Sequence, residues 1–335
     1  MTIKVGINGF GRIGRLVMRA AYDWADIEFV QINDCAGDAK TLAHLLEFDS
    51  VQGRWQHPVA AAENQILIGK HKINCTQQRD IAAVDWSNCD VVVEATGVNK
   101  NAKLLQGYLD QGVKRVVVSA PVKADGIVNI VVGVNDFIFE PSKHQIVTAA
   151  SCTTNCLAPV IKVINEKLGI EQVCFTTIHN LTNTQTILDA PHQDLRRARA
   201  CGMSLIPTTT GSAKAIVEIF PELKDRIDGH AVRVPLANAS LTDIVIDVSR
   251  DTDIEEVNAL LKHASENDLK GILGFEERPL VSIDYRGERR STVVDALSTM
   301  VVGSRMLKIY AWYDNEMGYA TRTAELMHRV ALADK

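Results

Sequence analysis

The chain opens on an apolar run, Ile3–Asn8, and similar runs recur at Phe29–Asn33, Val91–Thr96 and Arg115–Ser119. They are short and lack sustained alternation of polar residues, as expected of parallel strands covered on both faces. Between the outer pairs, Gly11–Trp24 and Ala102–Gln111 carry the apolar spacing of amphipathic helices. This alternation predicts a doubly wound parallel sheet over the first 150 residues or so. Ile66–Cys75 interrupts it as a hairpin turning at Gly69-Lys70.

Beyond Ser151 the texture changes. Cys152–Leu168 places Leu157, Ile161, Ile164 and Leu168 on one helical face, and Cys174–His179 reads as a strand. A long, polar, arginine-rich stretch runs from Asn180 to Ser204. Leu241–Val248 and Met306–Trp312 then alternate in the manner of an antiparallel or mixed sheet, and Tyr319–Ala333 closes the chain as a helix. The expected fold class is therefore α/β, a doubly wound sheet followed by an α+β domain with a mixed or antiparallel sheet.

Composition narrows the function classes. A chain of 335 residues suits about two domains, and 46% hydrophobic with 23% charged residues is a folded, globular balance. A net charge of -5 gives no general attraction to nucleic acid or membrane, so an anionic ligand must be held by local basic groups. No run approaches the ~18 apolar residues of a membrane span, and the N-terminus reads as a strand rather than a signal peptide. The seven cysteines are odd in number, scattered and without CxxC spacing. Neither a disulfide framework nor a metal site is expected, and the chain reads as cytoplasmic with reduced thiols.

Gly9-Phe10-Gly11-Arg12-Ile13-Gly14 lies between a predicted strand and a predicted helix. In such a GxGxxG turn the first glycine permits the tight bend and the second admits a pyrophosphate. The third allows close helix–strand packing, while the helix N-terminus offers amide groups to the phosphates. A packing turn could use the same glycines. However, Asn33-Asp34 ends the next strand at the distance where a carboxylate holds ribose hydroxyls, which favours NAD over a 2′-phosphorylated cofactor.

Ala150-Ser151-Cys152-Thr153-Thr154-Asn155-Cys156 is the most informative stretch. Cys152 stands where strand gives way to helix, with Ser151 as a candidate N-cap. There the helix dipole and free amides favour a thiolate and can also stabilise an oxyanion. A lone cysteine is more often a small core residue, and Cys156 is read that way. His179, at the end of the next strand, supplies the base that would make Cys152 a nucleophile.

Two sets of hydroxyls and arginines follow. Thr182, Thr184 and Gln185 come shortly after His179, and Arg196, Arg197 and Arg199 follow them. Thr208, Thr209, Thr210, Gly211 and Ser212 lead into a further helix, a second potential anion site. The arginines fit equally well a solvated face or a subunit contact. Arg233 stands in the strand-like Ala231-Val232-Arg233-Val234, where its charge needs an anionic partner.

These residues resemble glyceraldehyde-3-phosphate dehydrogenase. The resemblance is carried by Ser151–Cys156, by Gly6–Arg15 and by Trp312–Tyr319, and it covers essentially the whole chain. It implies Cys152 as nucleophile and His179 as base, with glyceraldehyde 3-phosphate, NAD and inorganic phosphate as partners. The substrate phosphate would lie on Thr182, Thr184 and Arg233. The inorganic anion would lie on Ser151, Thr153, Thr210 and Gly211, with Arg197 nearby. Beside the glycine turn and Asp34, the expected cofactor residues are Arg79, Thr96, Gly97, Ser119, Asn315 and Tyr319. The family is a homotetramer. The implied division is 1–151 with 315–335 for the NAD domain and 152–314 for the catalytic domain.

Asn180-Leu181, Gln52 and Ala190 depart from the commonest pattern of the family. Around them the chain looks most like a subgroup encoded beside an organoarsenical exporter, in which arsenate replaces phosphate to give 1-arseno-3-phosphoglycerate. An erythrose-4-phosphate dehydrogenase would share Cys152 and His179, but the intact Thr208–Gly211 run argues against it. A binding protein that holds RNA on the basic loop is a rival of another class. The retained nucleophile, base and anion sets make that a secondary role at most.

Overall fold

The computed structural model describes residues 2–333. The chain forms two compact units, one running through Ser151 and resuming at Tyr319, the other spanning Cys152–Gly318. The return thus falls at Tyr319 rather than at residue 315.

The first unit runs β1 (Ile3–Asn8), α1 (Arg12–Ala21), β2 (Ile27–Asn33), α2 (Ala39–Glu47), β3 (Val59–Ala62), β4 (Gln65–Ile68), β5 (His71–Thr76), β6 (Val91–Glu94), α3 (Ala102–Leu109), β7 (Arg115–Val118), β8 (Val128–Asn129) and β9 (Ile146–Thr148). Its sheet has the order β3-β4-β5-β2-β1-β6-β7-β9-β8. Only the pairings of β3 with β4 and of β4 with β5 are antiparallel, so the expected hairpin is an edge ribbon on a parallel sheet. β1 lies at the centre, with β2 on one side and β6 on the other. This is a topological switch point, where doubly wound sheets bind ligands at the carboxyl ends of their strands. Ile3, Val5, Ile7, Val91, Val92 and Val93 are fully buried, as the unbroken apolar runs require.

The second unit runs α4 (Cys152–Leu168), β10 (Ile170–His179), β11 (Ile206–Thr209), α5 (Ser212–Ile219), β12 (Ile227–Arg233), β13 (Ser240–Val248), α6 (Ile254–Glu266), β14 (Leu273–Glu276), β15 (Thr292–Asp295), β16 (Met300–Val302) and β17 (Met306–Tyr313). From here the chain enters α7 (Met317–Leu332), most of which belongs to the first unit. The sheet order is β11-β12-β10-β13-β17-β15-β14, with β16 on β17, and the pairings are mixed. β10 begins at Ile170, ahead of the expected Cys174. The register shift between Ile170 and Gln172 breaks the alternation there and hides the strand's start.

α4 departs from the one-faced helix expected of it. Thr153–Ile161 are all buried, because the helix packs on β13, β15 and β17 and also against α5 and α6. α2 and α6, which the reading of the sequence leaves out, each open on an aspartate cap. Asp38 accepts the Thr41 amide and Asp253 the Glu256 amide, each at 2.8 Å. Among the described residues no helix is long and apolar enough to cross a membrane.

Candidate active site

In the first unit the glycine turn joins β1 to α1. Gly9 has φ +87°, and a Cβ on it would lie 2.5 Å from the Thr96 amide nitrogen. A Cβ on Gly14 would come 2.1 Å from the Gly9 carbonyl oxygen, so this glycine serves helix–strand packing. Gly11 caps α1 with open space around it, leaving the helix N-terminus free for an approaching phosphate. The turn therefore fits a dinucleotide.

Asp34 accepts the Phe10 amide at 2.8 Å on Oδ2 and the Ala36 amide at 2.9 Å on Oδ1, which fixes the carboxylate beside the turn. Each oxygen keeps a lone pair for a ribose hydroxyl. Phe10 is fully buried and Ile13 is half-buried, so Phe10 offers only its backbone to a ligand. Arg12 is ion-paired with Asp49, while Arg79 is exposed beyond β5. Gly97 has φ +74°, and the Ser119 amide donates to the Glu94 carbonyl at 2.9 Å. The Tyr319 hydroxyl donates to the Ala150 carbonyl at 3.1 Å, tying α7 to the residue before Ser151. Ala150 holds φ +53°, a left-handed conformation that strains a residue with a Cβ.

In the second unit Cys152 begins α4 and His179 ends β10, and Sγ lies 3.6 Å from Nε2. Arg233 ends β12 and is the register partner of His179 in the parallel β10–β12 ladder. Its Nη1 is 2.6 Å from His179 Nδ1 and donates to the Asn180 carbonyl at 3.1 Å. His179 Nδ1 is also 2.9 Å from that carbonyl. A guanidinium can only donate, so its approach requires the Nδ1 lone pair and puts the imidazole proton on Nε2, toward sulfur. If the guanidinium left, Nδ1–H could donate to the Asn180 carbonyl and Nε2 would become a free base.

Burial and the adjoining Arg233 charge push His179 down to about 3, so it is neutral at pH 7. Burial pushes the Cys152 thiol up. Arg233 and the hydroxyl and amide of Thr153 pull against that shift without reversing it. The thiolate expected at a helix start is thus not the resting form, because loss of water outweighs the nearby positive charge. The pair, with His179 buried and Cys152 half-buried, rests as thiol and imidazole.

The two anion sets take different forms. Thr182 and Thr184 bring their hydroxyls within 3.0 Å of each other, on a turn where Gln185 Oε1 accepts the Thr182 amide at 3.0 Å. Arg197 Nε donates to Thr208 Oγ1 at 2.7 Å, next to Thr209, Thr210 and Gly211. Gly211 caps α5, with the Thr210 hydroxyl donating to Ser212 Oγ at 3.0 Å. The Arg197 charge contributes to lowering Arg233, so both cations act on the same region. Arg199 is paired with Asp189 at 3.0 Å instead, and Arg196 is exposed. Asn315 is buried, with the Ser240 hydroxyl 3.4 Å from its Oδ1.

Thr153 was expected on an anion, but its hydroxyl is turned inward, 3.0 Å from the buried Tyr313 hydroxyl. Tyr313 itself was missed. Its hydroxyl also meets Thr177 Oγ1 at 2.7 Å, and its ring meets His179 edge-on at 6.0 Å. The alternation of β17 puts Tyr313 on the buried face, and that was the one signal available for it. Among the described residues no group of three or more His, Cys, Asp or Glu could hold a metal ion, and all seven cysteines are free.

Comparison with known proteins is consistent across the chain. Residues 3–102 match the family model "Glyceraldehyde 3-phosphate dehydrogenase, NAD binding domain", and residues 151–315 match the corresponding C-terminal domain. A glyceraldehyde-3-phosphate dehydrogenase 3 of Nostoc sp. is 57% identical over 100% of both chains. A glyceraldehyde-3-phosphate dehydrogenase 1 of Bacillus cereus is 50% identical, over 96% of this chain and 97% of its own length. The Geobacillus stearothermophilus glyceraldehyde-3-phosphate dehydrogenase is 49% identical over 99% of each. With both family domains matched and identity of this order along the full length, the chain belongs to the glyceraldehyde-3-phosphate dehydrogenase family of NAD-dependent enzymes.

Proposed function

We propose that this chain oxidises D-glyceraldehyde 3-phosphate through a thioester on Cys152 and transfers the acyl group to an inorganic oxyanion. The observation that carries the reading is the Cys152–His179 contact of 3.6 Å, with Arg233 on the far nitrogen of the imidazole. Arg233, drawn with Thr182 and Thr184 onto the substrate phosphate, leaves Nδ1; the imidazole proton shifts from Nε2 to Nδ1, where it is donated to the Asn180 carbonyl, and Nε2 becomes the base. Cys152 Sγ then bonds to the aldehyde carbon, and the thiol proton passes through Nε2 to the carbonyl oxygen. NAD, held by the Gly9–Gly14 turn and Asp34, supplies the hydride acceptor when bound. His179 removes the hydroxyl proton as the carbon is oxidised, leaving the thioester. An anion held by Thr210, Gly211 and Arg197 then attacks the acyl carbon, the C–S bond breaks and Sγ regains a proton.

Hydroxyls, amides and a guanidinium accept phosphate and arsenate alike, because the two anions are nearly isosteric. The departures at Asn180-Leu181, Gln52 and Ala190 support an arsenate-resistance role, with 1-arseno-3-phosphoglycerate as the product. Ile187, Leu188, Leu195, Met203 and Leu205 are all exposed in or beside the 180–204 stretch, which supports assembly of copies into a homotetramer. The free cysteines suit the cytoplasm.

The test follows NADH formation from glyceraldehyde 3-phosphate and NAD, with phosphate or arsenate, in wild type and Cys152→Ser. Turnover with either anion and near-complete loss in the variant are expected. An inactive folded wild type, or an unaffected variant, would overturn the thioester reading.

A further inference from the structure

A buried carboxylate lies beside the glycine turn and takes no part in the chemistry above. Glu94 ends β6 and is 1% exposed, and no lysine or arginine among the described residues is paired with it. Its oxygens are filled by neutral donors instead. Oε1 accepts the Thr96 amide at 2.8 Å and the Thr96 hydroxyl. Oε2 accepts the Tyr108 hydroxyl at 2.7 Å and the Asn8 and Asn99 side-chain amides at 3.0 Å each. Asn8 extends the network, since its Oδ1 accepts Asn33 Nδ2 at 2.8 Å. Asn33 Oδ1 in turn accepts the Thr76 hydroxyl at 2.8 Å and the Gln78 amide at 2.9 Å. The carboxyl ends of β5, β2, β1 and β6, four consecutive strands of the sheet, are thereby linked by a continuous run of side chains in addition to the backbone ladder.

Valine or isoleucine would hold the sheet together here without the cost of dehydrating a charge. A carboxylate can do something they cannot, which is to accept from the Thr96 amide, the Thr96 hydroxyl and Asn99 together. It thereby fixes the conformation of the loop that follows β6. Gly9 packs directly on that loop, where an added Cβ would lie 2.5 Å from the Thr96 nitrogen and 2.6 Å from the Ala95 carbonyl carbon. The glycine turn and the Thr96–Gly97 loop consequently have one mutual arrangement, and Glu94 sets it. We infer that Glu94 is a positioning residue for NAD, acting through the Thr96–Asn99 loop and the Gly9 turn rather than by touching the cofactor.

The inference rests on the reading that this turn binds NAD. A protein whose binding-competent geometry is populated only a fraction of the time loses affinity by that fraction. If Glu94→Gln lowers that population to about one tenth, the Kd for NAD rises about tenfold. Glutamine keeps the volume but turns an acceptor into a donor facing other donors. Turnover at saturating NAD should stay within about twofold of wild type, since binding of the cofactor restores the arrangement.

The experiment measures the Kd for NAD by titration calorimetry on folded full-length protein, together with kcat and Tm. It compares Glu94→Gln with Tyr108→Phe, which removes one donor to Glu94, and with Leu105→Ala, a buried residue of α3 outside the network. A rise of about tenfold for Glu94→Gln and about threefold for Tyr108→Phe is expected by the same population argument, with Leu105→Ala losing Tm but not affinity. If Glu94→Gln does not fold, Tyr108→Phe against Leu105→Ala decides. Unchanged Kd in both network variants, or equal weakening by Leu105→Ala, would reduce Glu94 to a support of the fold. A wild type that binds no NAD would instead sink the dinucleotide reading itself.

Discussion

Arg233 is the residue whose replacement bears most directly on how the nucleophile and base are set. Its Nη1 lies 2.6 Å from His179 Nδ1, and its charge also acts on Cys152. In Arg233→Gln that charge disappears while a side chain of moderate length remains. The imidazole becomes easier to protonate and the thiol harder to ionise, so both titrations move upward. A like charge at this range shifts a pKa by about 1–3 units, or roughly 1.4–4 kcal/mol of differential stabilisation. The His179 limb should therefore climb from about 3 toward the measurable range.

Unphosphorylated D-glyceraldehyde is the substrate of choice, because it separates this effect from loss of the substrate-phosphate contact. The pH dependence of kcat/KM reports the free enzyme's groups. The pH dependence of iodoacetamide alkylation reports the Cys152 thiol separately. Both profiles should move to higher pH in Arg233→Gln, while the KM for glyceraldehyde 3-phosphate rises. Profiles that stay in place, or move to lower pH, would refute the electrostatic coupling of Arg233 to the pair.

Stability should also respond to acid through His179. The unfolded residue binds a proton near 6.5 and the folded one not until about 3, so protons favour unfolding across that window. A loss of about 1.4 kcal/mol per pH unit below 6.5 is expected from this group, and a denaturation series should find it missing in His179→Asn. Gly14→Ala should destabilise by about 1–3 kcal/mol and weaken NAD binding, because the new methyl meets the Gly9 carbonyl oxygen; unchanged Tm and Kd would contradict that packing. Arg197→Leu should raise the KM for phosphate and for arsenate while leaving the KM for glyceraldehyde 3-phosphate near wild type. A rise confined to the aldehyde substrate would reverse the assignment of the two anion sets.

The local signals in the chain proved dependable where one physical requirement dominated. Gly9 and Gly14 are demanded by a positive φ and by a close backbone approach, so their spacing alone marked the turn. The unbroken apolar runs at Ile3–Asn8 and Val91–Thr96 marked strands covered on both faces. In α4 the one-faced pattern misled, because the helix is packed from several sides at once. Its polar positions, Thr153, Thr154 and Asn155, are buried as well.

What the sequence determined by itself was the class of fold, the dinucleotide turn and the residue types of a thiol–imidazole pair. Each follows from periodicity, backbone sterics or side-chain chemistry within a few residues. Only the tertiary structure decided the electrical state of that pair. His179 meets Arg233 because β10 and β12 lie side by side, and nothing in the 53 intervening residues states that pairing. Tyr313 reaches Thr153 and Asn8 reaches Glu94 for the same reason, since each of these contacts joins elements far apart in the chain. A pKa depends on the water excluded and the charges brought near, and both are properties of the packed molecule.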